Sequence, residues 1–150
     1  MITRLTGNDT IKINSRLITD IGAGEVAKIT YESEIVTLKT GKNGNTIYAK
    51  NEAGNQATME LHVIRGSGDD KFLNGQLQAY QADPAGYILM NAELIKVLGD
   101  GAGQITRDIY VLTGGVISKP VEAVVNVEGD TEQAMSLYTM KFAIAPRAIA

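Results

Sequence analysis

Residues 127–146, VEGDTEQAMSLYTMKFAIAP, decide the fold, because an acidic turn runs into a stretch in which apolar and polar side chains alternate. Tyr138, Met140, Phe142 and Ile144 fall on one face, and Leu137, Thr139 and Lys141 on the other. A period of two is the mark of a strand with one buried face. A strand of about eleven residues spans about 36 Å, twice the common length. Such a strand needs partners on both edges, since an open edge is a template for aggregation.

Working outward, the chain offers several further strands. Residues 86–98 (GYILMNAELIKVL), the turn GDGAGQ and residues 104–112 read as a hairpin, and 116–127 leads into the opening stretch. In residues 56–65, QATMELHVIR, Met59, Leu61 and Val63 alternate with Thr58, Glu60 and His62. With TIYAKN just before it, this run reads as a second hairpin around the turn EAGNQ. Shorter candidates lie at 10–14 and 16–21, and a longer one at 28–39, followed by the Gly-rich turn cluster at 41–45.

The period changes after Gly66. Phe72, Leu73, Leu77 and Tyr80 share one helical face, Ser67 is placed to cap the start, Asp69 and Asp70 suit the first turn, and Asp83-Pro84 stops the run. The spacing predicts one helix over 68–82. Gly75 costs it about 1 kcal/mol relative to Ala, so packing on a sheet must hold it.

The 150 residues, 44% hydrophobic and 21% charged, are enough for a single domain over 1–150, and no repeat, low-complexity tract or linker divides them. The core formers are mostly Ile, Leu, Val and Met, with no Trp and two Phe, which favours thin, layered sheet packing. A net charge of −3 lacks the basic footprint of a protein that grips nucleic acid by its phosphates. With no cysteine there is neither a disulfide framework nor a thiolate metal site. No apolar run approaches membrane-spanning length, and the N-terminal residues lack the apolar region of a signal peptide, so synthesis in the cytoplasm and no membrane insertion are expected.

The chemical motifs read as structure. GDGAG at 99–103 has phosphate-loop spacing, but an alternating strand follows it where a helix is required. His62 is the lone histidine and sits in strand alternation with no nucleophile elbow to serve, so catalytic, metal and cofactor sites are expected to be absent. Asn8-Asp9-Thr10 matches a glycosylation acceptor without a secretory context. Glu128, Asp130 and Glu132 read as a solvated turn; with Glu122 they are also candidates for a repulsive channel lining, since one acid per subunit becomes a circle of like charge in a ring.

Three segments carry a family resemblance: GSGDDKFLN at the helix start, GDGAGQ in the hairpin turn and NVEGDTEQA before the last strand. With the strands between them, from about residue 45 to the end, the chain resembles the tail tube proteins of contractile-tailed bacteriophages.

The resemblance implies a mainly β fold, a two-sheet β-sandwich or partial barrel with one flanking helix, assembled as a homo-hexameric ring. Rings would stack into a hollow tube inside a sheath, between a baseplate and a tail terminator, and double-stranded DNA would pass through the lumen without specific binding. The virion tail is then the expected location. Gly41, Lys42, Asn43, Gly44 and Asn45 form a candidate stacking loop, projected by the flanking EIVTLK and TIYAKN. Arg107, Asp108, Lys119 and Arg147 are candidate inter-subunit residues, Lys119 with Glu122 and Arg107 with Asp108 as ion pairs, and the terminal APRAIA is expected to dock on a neighbour. A bacteriocin-type tube, a type VI secretion needle or another tail or baseplate component would share these features, whereas an enzyme would depend on His62.

Overall fold

The computed structural model describes residues 2–22, 24–122, 125 and 134–150. Among them the strands are β1 (Arg4–Leu5), β2 (Thr10–Ile13), β3 (Arg16–Leu17), β4 (Ala27–Thr30), β5 (Val36–Thr40), β6 (Thr46–Lys50), β7 (Ala57–Ile64), β8 (Met90–Gly99), β9 (Ile105–Ile117), β10 (Met135–Ile144) and β11 (Arg147–Ile149). Helix α1 (Gly68–Ala82) lies between β7 and β8. Nine strands form one antiparallel sheet in the order β3-β2-β8-β9-β10-β7-β4, with β1 also on β8 and β11 also on β9; β5 and β6 pair only with each other.

The alternation read in the sequence fixes the inner face. Val63, Leu61 and Met59 of β7 stand opposite Ser136, Tyr138 and Met140 of β10, and all six are buried. Ile11 and Ile13 of β2, Met90 and Ala92 of β8 and Leu112 of β9 join them in a single core cluster. Leu73 and Leu77 of α1 close that core, while Phe72 packs at its margin. Ser67 caps the helix, its hydroxyl oxygen accepting from the Asp70 amide at 3.2 Å. The mainly β architecture with one flanking helix is therefore as expected, its strands divided between a large sheet and a separate hairpin.

Several boundaries differ, each for a local reason. The run 28–39 breaks into β4 and β5 because 31–35 leaves the sheet, where the Tyr31 hydroxyl donates to the carbonyl of Ala145. The segment 46–51 pairs with 36–40 rather than with 56–65, and a short 3-10 turn at Glu52–Asn55 separates it from β7. No break separates 104–112 from 116, since β9 runs from Ile105 to Ile117 across Gly114 and Gly115, and the expected strand 116–127 lies partly outside the described residues. These glycines do not mark a turn there. Gly114 has φ +69°, and a Cβ on Gly115 would lie 2.2 Å from the Phe142 ring, so the pair lets β9 approach β10. The pairing of β8 starts at Met90, four residues later than the pattern predicts, and Ile144 is exposed at the end of β10.

The edges also differ. β8, β9 and β10 are all interior: β8 lies between β9 on one side and β2 and β1 on the other, and β9 between β8 and the successive β10 and β11. The C-terminal residues, expected to dock on a neighbour, instead form β11 on their own β9, with Arg107 and Ala150 exchanging both backbone hydrogen bonds.

Candidate assembly surface

The five loop residues singled out in the sequence, Gly41 to Asn45, form the tip of the β5–β6 hairpin. Gly44 supplies the positive φ of +80° that the turn demands, and the Gly41 amide donates to the Asn45 carbonyl at 2.7 Å. Every residue from 36 to 50 is exposed. The register places Val36, Leu38 and Tyr48 on one face and Ile47 and Ala49 on the other. Leu38 is 56% exposed, Ile47 69% and Tyr48 70%. An isolated two-stranded hairpin is marginal in water. This one also presents apolar side chains to solvent on both faces, and of its lysines, Lys39, Lys42 and Lys50, the last pairs with Glu52 at 3.3 Å.

The root of the hairpin is stiff. The Asn51 amide donates to the Ile35 carbonyl at 2.8 Å, and the Asn51 side chain accepts from the Ala53 amide at 3.2 Å. Gly54 is buried against the opposite chain: a Cβ there would stand 2.7 Å from the Glu34 carbonyl oxygen and the Ile35 Cα. Only glycine lets the two limbs meet so closely. Nothing local signals this contact, since EAGNQ reads as an ordinary turn.

The other singled-out residues do not gather at the hairpin. Glu122 is exposed, bridges to Leu137 and borders a cavity of about 290 Å³ with Asp70, Lys71 and Tyr138. Glu128, Asp130 and Glu132 lie outside the described residues. Lys119 is exposed just beyond β9, and among the described residues no ion pair joins it to Glu122 or joins Arg107 to Asp108. Asp108 instead meets Arg147 of its own chain in a two-pronged contact, Nε to Oδ1 at 2.7 Å and Nη2 to Oδ2 at 2.9 Å. That hydrogen bonding holds the Asp108 carboxyl below its usual range. Arg147 also stacks over Tyr110, 5.6 Å from the ring centre, and so fastens β11.

Two buried polar groups sit elsewhere. Asp69, 1% exposed, accepts from the Thr19 and Asp20 amides at 2.8 and 2.9 Å and from Arg16 Nε at 2.9 Å. Burial pushes its pKa up, but the two backbone bonds and Arg16 outweigh this and leave it lowered. Its own amide donates to Asp20 at 3.1 Å, completing a clamp between the helix start and residues 16–20. Its helical position was legible; its role was not. Tyr138 donates to Asp70, and burial, followed by that neighbouring carboxylate, raises its pKa. Among the described residues, the buried Nδ1 of His62 has no hydrogen-bond partner.

This combination, a curled antiparallel sheet with one capping helix and a long exposed hairpin, defines a tube-like fold of contractile tails. Solved structures carry the same fold. Over 95% of this chain, it matches the tube-terminating cap of the anti-feeding prophage with a TM-score of 0.64 and 8% identity, covering 88% of that chain. A chain of the sheath-tube complex of the extracellular contractile injection system PVC, in its extended state, matches with a TM-score of 0.58 and 7% identity over 95% of this chain and 87% of the other. The sheath/tube terminator of the same system follows at 0.55 and 7%, over 95% and 92%. No family model matches the chain, and no curated protein matches it. Among the described residues, no helix is long and apolar enough to cross a membrane.

Proposed function

We propose that this chain is the tube subunit of a contractile-tailed phage, assembling as hexameric rings that stack head to tail into a hollow conduit for the genome. The observation that carries the reading is the β5–β6 hairpin. It is closely packed at its root, apolar on both faces and, among the described residues, without a strand partner beyond its own two limbs, and a contact with another subunit removes that cost. A contact between two different patches of one molecule does not close on itself and generates a filament.

In this reading the sheath lies outside, a baseplate and a terminator hold the ends, and the channel wall works by not binding. Its acids, with Glu122 the candidate among the described residues, repel the DNA phosphates, so no step of passage is slowed by basic contacts. The chain forms one domain over 1–150 and performs no chemistry. Of the four residues singled out for contacts between subunits, Arg107 and Lys119 are exposed and form no ion pair among the described residues. A phage-like bacteriocin or secretion needle would use the same assembly without a genome.

Negative-stain electron microscopy over a concentration series tests the proposal, and hollow tubes are the expected outcome. The fold match to a tube-terminating cap favours a second reading, in which the chain stops at one ring. Single rings at every concentration would establish the cap in place of the tube. A monomer throughout, even with preformed tube ends added, would refute both.

A further inference from the structure

A hairpin that docks needs a receiving surface on the next copy, and the fold provides one at the opposite end of β4. β2, which lies beside the end strand β3, and the opposite end strand β4 are not bonded to each other. The seam between them holds a cavity of about 400 Å³ lined by Ile11, Ile18, Leu94 and Ala27, with the exposed Asp9 and Glu25 beside it. It arises because β2 and β8 set Ile11 opposite Leu94 on the inner face, while residues 18–26 cross to β7, the Asp20 and Val26 carbonyls accepting from the Ile64 and His62 amides.

Ala27 borders the seam at the start of β4, and the chain leaves β4 at Thr30, passes through 31–35 and enters the hairpin at Val36. Seam and hairpin share no residue, so a contact between them joins two different patches, as a head-to-tail contact between copies requires. Charge favours this pairing: the hairpin carries Lys39 and Lys42, while Lys50 is held by Glu52 at 3.3 Å, and the seam offers Glu25, which forms no ion pair among the described residues, while Asp9 is held by Lys96 at 3.0 Å.

We infer that the seam between β2 and β4 is the receptor for the β5–β6 hairpin of a second copy, with Leu38 and Tyr48 covering the apolar cavity and Lys42 set against Glu25. The inference rests on the stacking reading above and adds the surface it uses.

The absence of native cysteine makes the test direct, because introduced thiols are then the only ones. Glu25→Cys is combined in turn with Lys39→Cys, Lys42→Cys and Lys50→Cys, assembled and oxidised. A disulfide closes only where the Cα atoms lie about 4.4–6.8 Å apart. At least one pair should give a ladder of covalent multimers that collapses on reduction, while each single-cysteine variant stops at dimers. Charge reversal gives a second readout: Lys42→Glu and Glu25→Lys should each raise the concentration needed for assembly, and the two together should restore it. Tubes that form without any ladder and without rescue place the receptor elsewhere; they overturn this inference and leave the stacking reading standing. If the unmodified chain forms no tube, the stacking reading fails and the inference falls with it.

Discussion

Replacing Asp69 with Ala tests whether one buried carboxylate holds the segment that crosses the seam. The substitution removes the acceptor for the Thr19 and Asp20 amides and for Arg16. A hydrogen bond to a charged acceptor is worth about 1.5–3 kcal/mol, and because these two are only part-buried the lower end applies to each. The Arg16 side chain is 45% exposed and can turn to water, so its lost pairing adds about 0–1 kcal/mol. About 3 kcal/mol is the expected total, and at about 2–4 °C per kcal/mol for a chain of this size Tm should fall by about 6–12 °C. The pH dependence supplies the sign. A carboxylate whose folded pKa lies below its unfolded value of about 3.9 contributes stability that is present above that value and lost as pH falls toward the folded pKa. Thermal unfolding of the dilute chain, followed by circular dichroism, should therefore show a constant gap between the native chain and Asp69→Ala from pH 5 to 8 that narrows below about pH 4. A gap under about 1 kcal/mol at pH 7, or one unchanged at pH 2.5, would refute the clamp.

Three further substitutions probe separate parts of the molecule. Gly54→Val places a side chain against the Glu34 and Ile35 backbone, which cannot swing away as a side chain can, so tube formation should be lost while the far-ultraviolet spectrum of the sheet persists; normal tubes would show that the root need not be stiff. Gly115→Ala pushes a methyl group into the Phe142 ring and should cost about 1–3 kcal/mol in urea unfolding, as overpacking does; a neutral result would mean that β9 and β10 separate freely. Arg147→Ala releases the contacts with Asp108 and Tyr110, and amide exchange at Arg107 and Ala150 should quicken with Tm nearly unchanged; unaltered exchange would show that backbone pairing alone secures β11.

What could be read from the sequence followed from periodicity. Tyr138, Met140 and Phe142 with Met59, Leu61 and Val63 announced the inner face because a half-buried strand must alternate, and the helix announced itself through Ser67 and the 72–80 face. What failed were glycines with two meanings and edges with no local signal. Gly114 and Gly115 resemble a turn, yet they serve close approach to Phe142, and no local pattern separates the two uses. The β5–β6 hairpin was legible as EIVTLK and TIYAKN around its turn residues, whereas the second pairing read for TIYAKN, with 56–65, does not form, because a 3-10 turn with the buried Gly54 stands between them. The Asp69 clamp joins groups about fifty residues apart, a distance that neither helical nor strand period encodes.

The long strands first suggested that assembly is driven by their unpaired edges, and the fold relocates that pressure. β8, β9 and β10 are interior, and the free edges belong to short strands, β3 with 2 residues and β4 with 4. Short edges are one of the ordinary ways in which a sheet avoids pairing with strangers. The part that remains poorly suited to a lone subunit is the β5–β6 hairpin, whose apolar side chains alternate onto both faces and so cannot be buried by folding back on one surface. A sheet edge would bind any exposed strand, whereas a hairpin with a stiff root, two apolar faces and three lysines selects a cleft of matching shape and opposite charge. On the proposed stacking reading, placing the drive to associate in that hairpin, and not in the sheet, would let the subunit polymerise in one direction without a general tendency to aggregate.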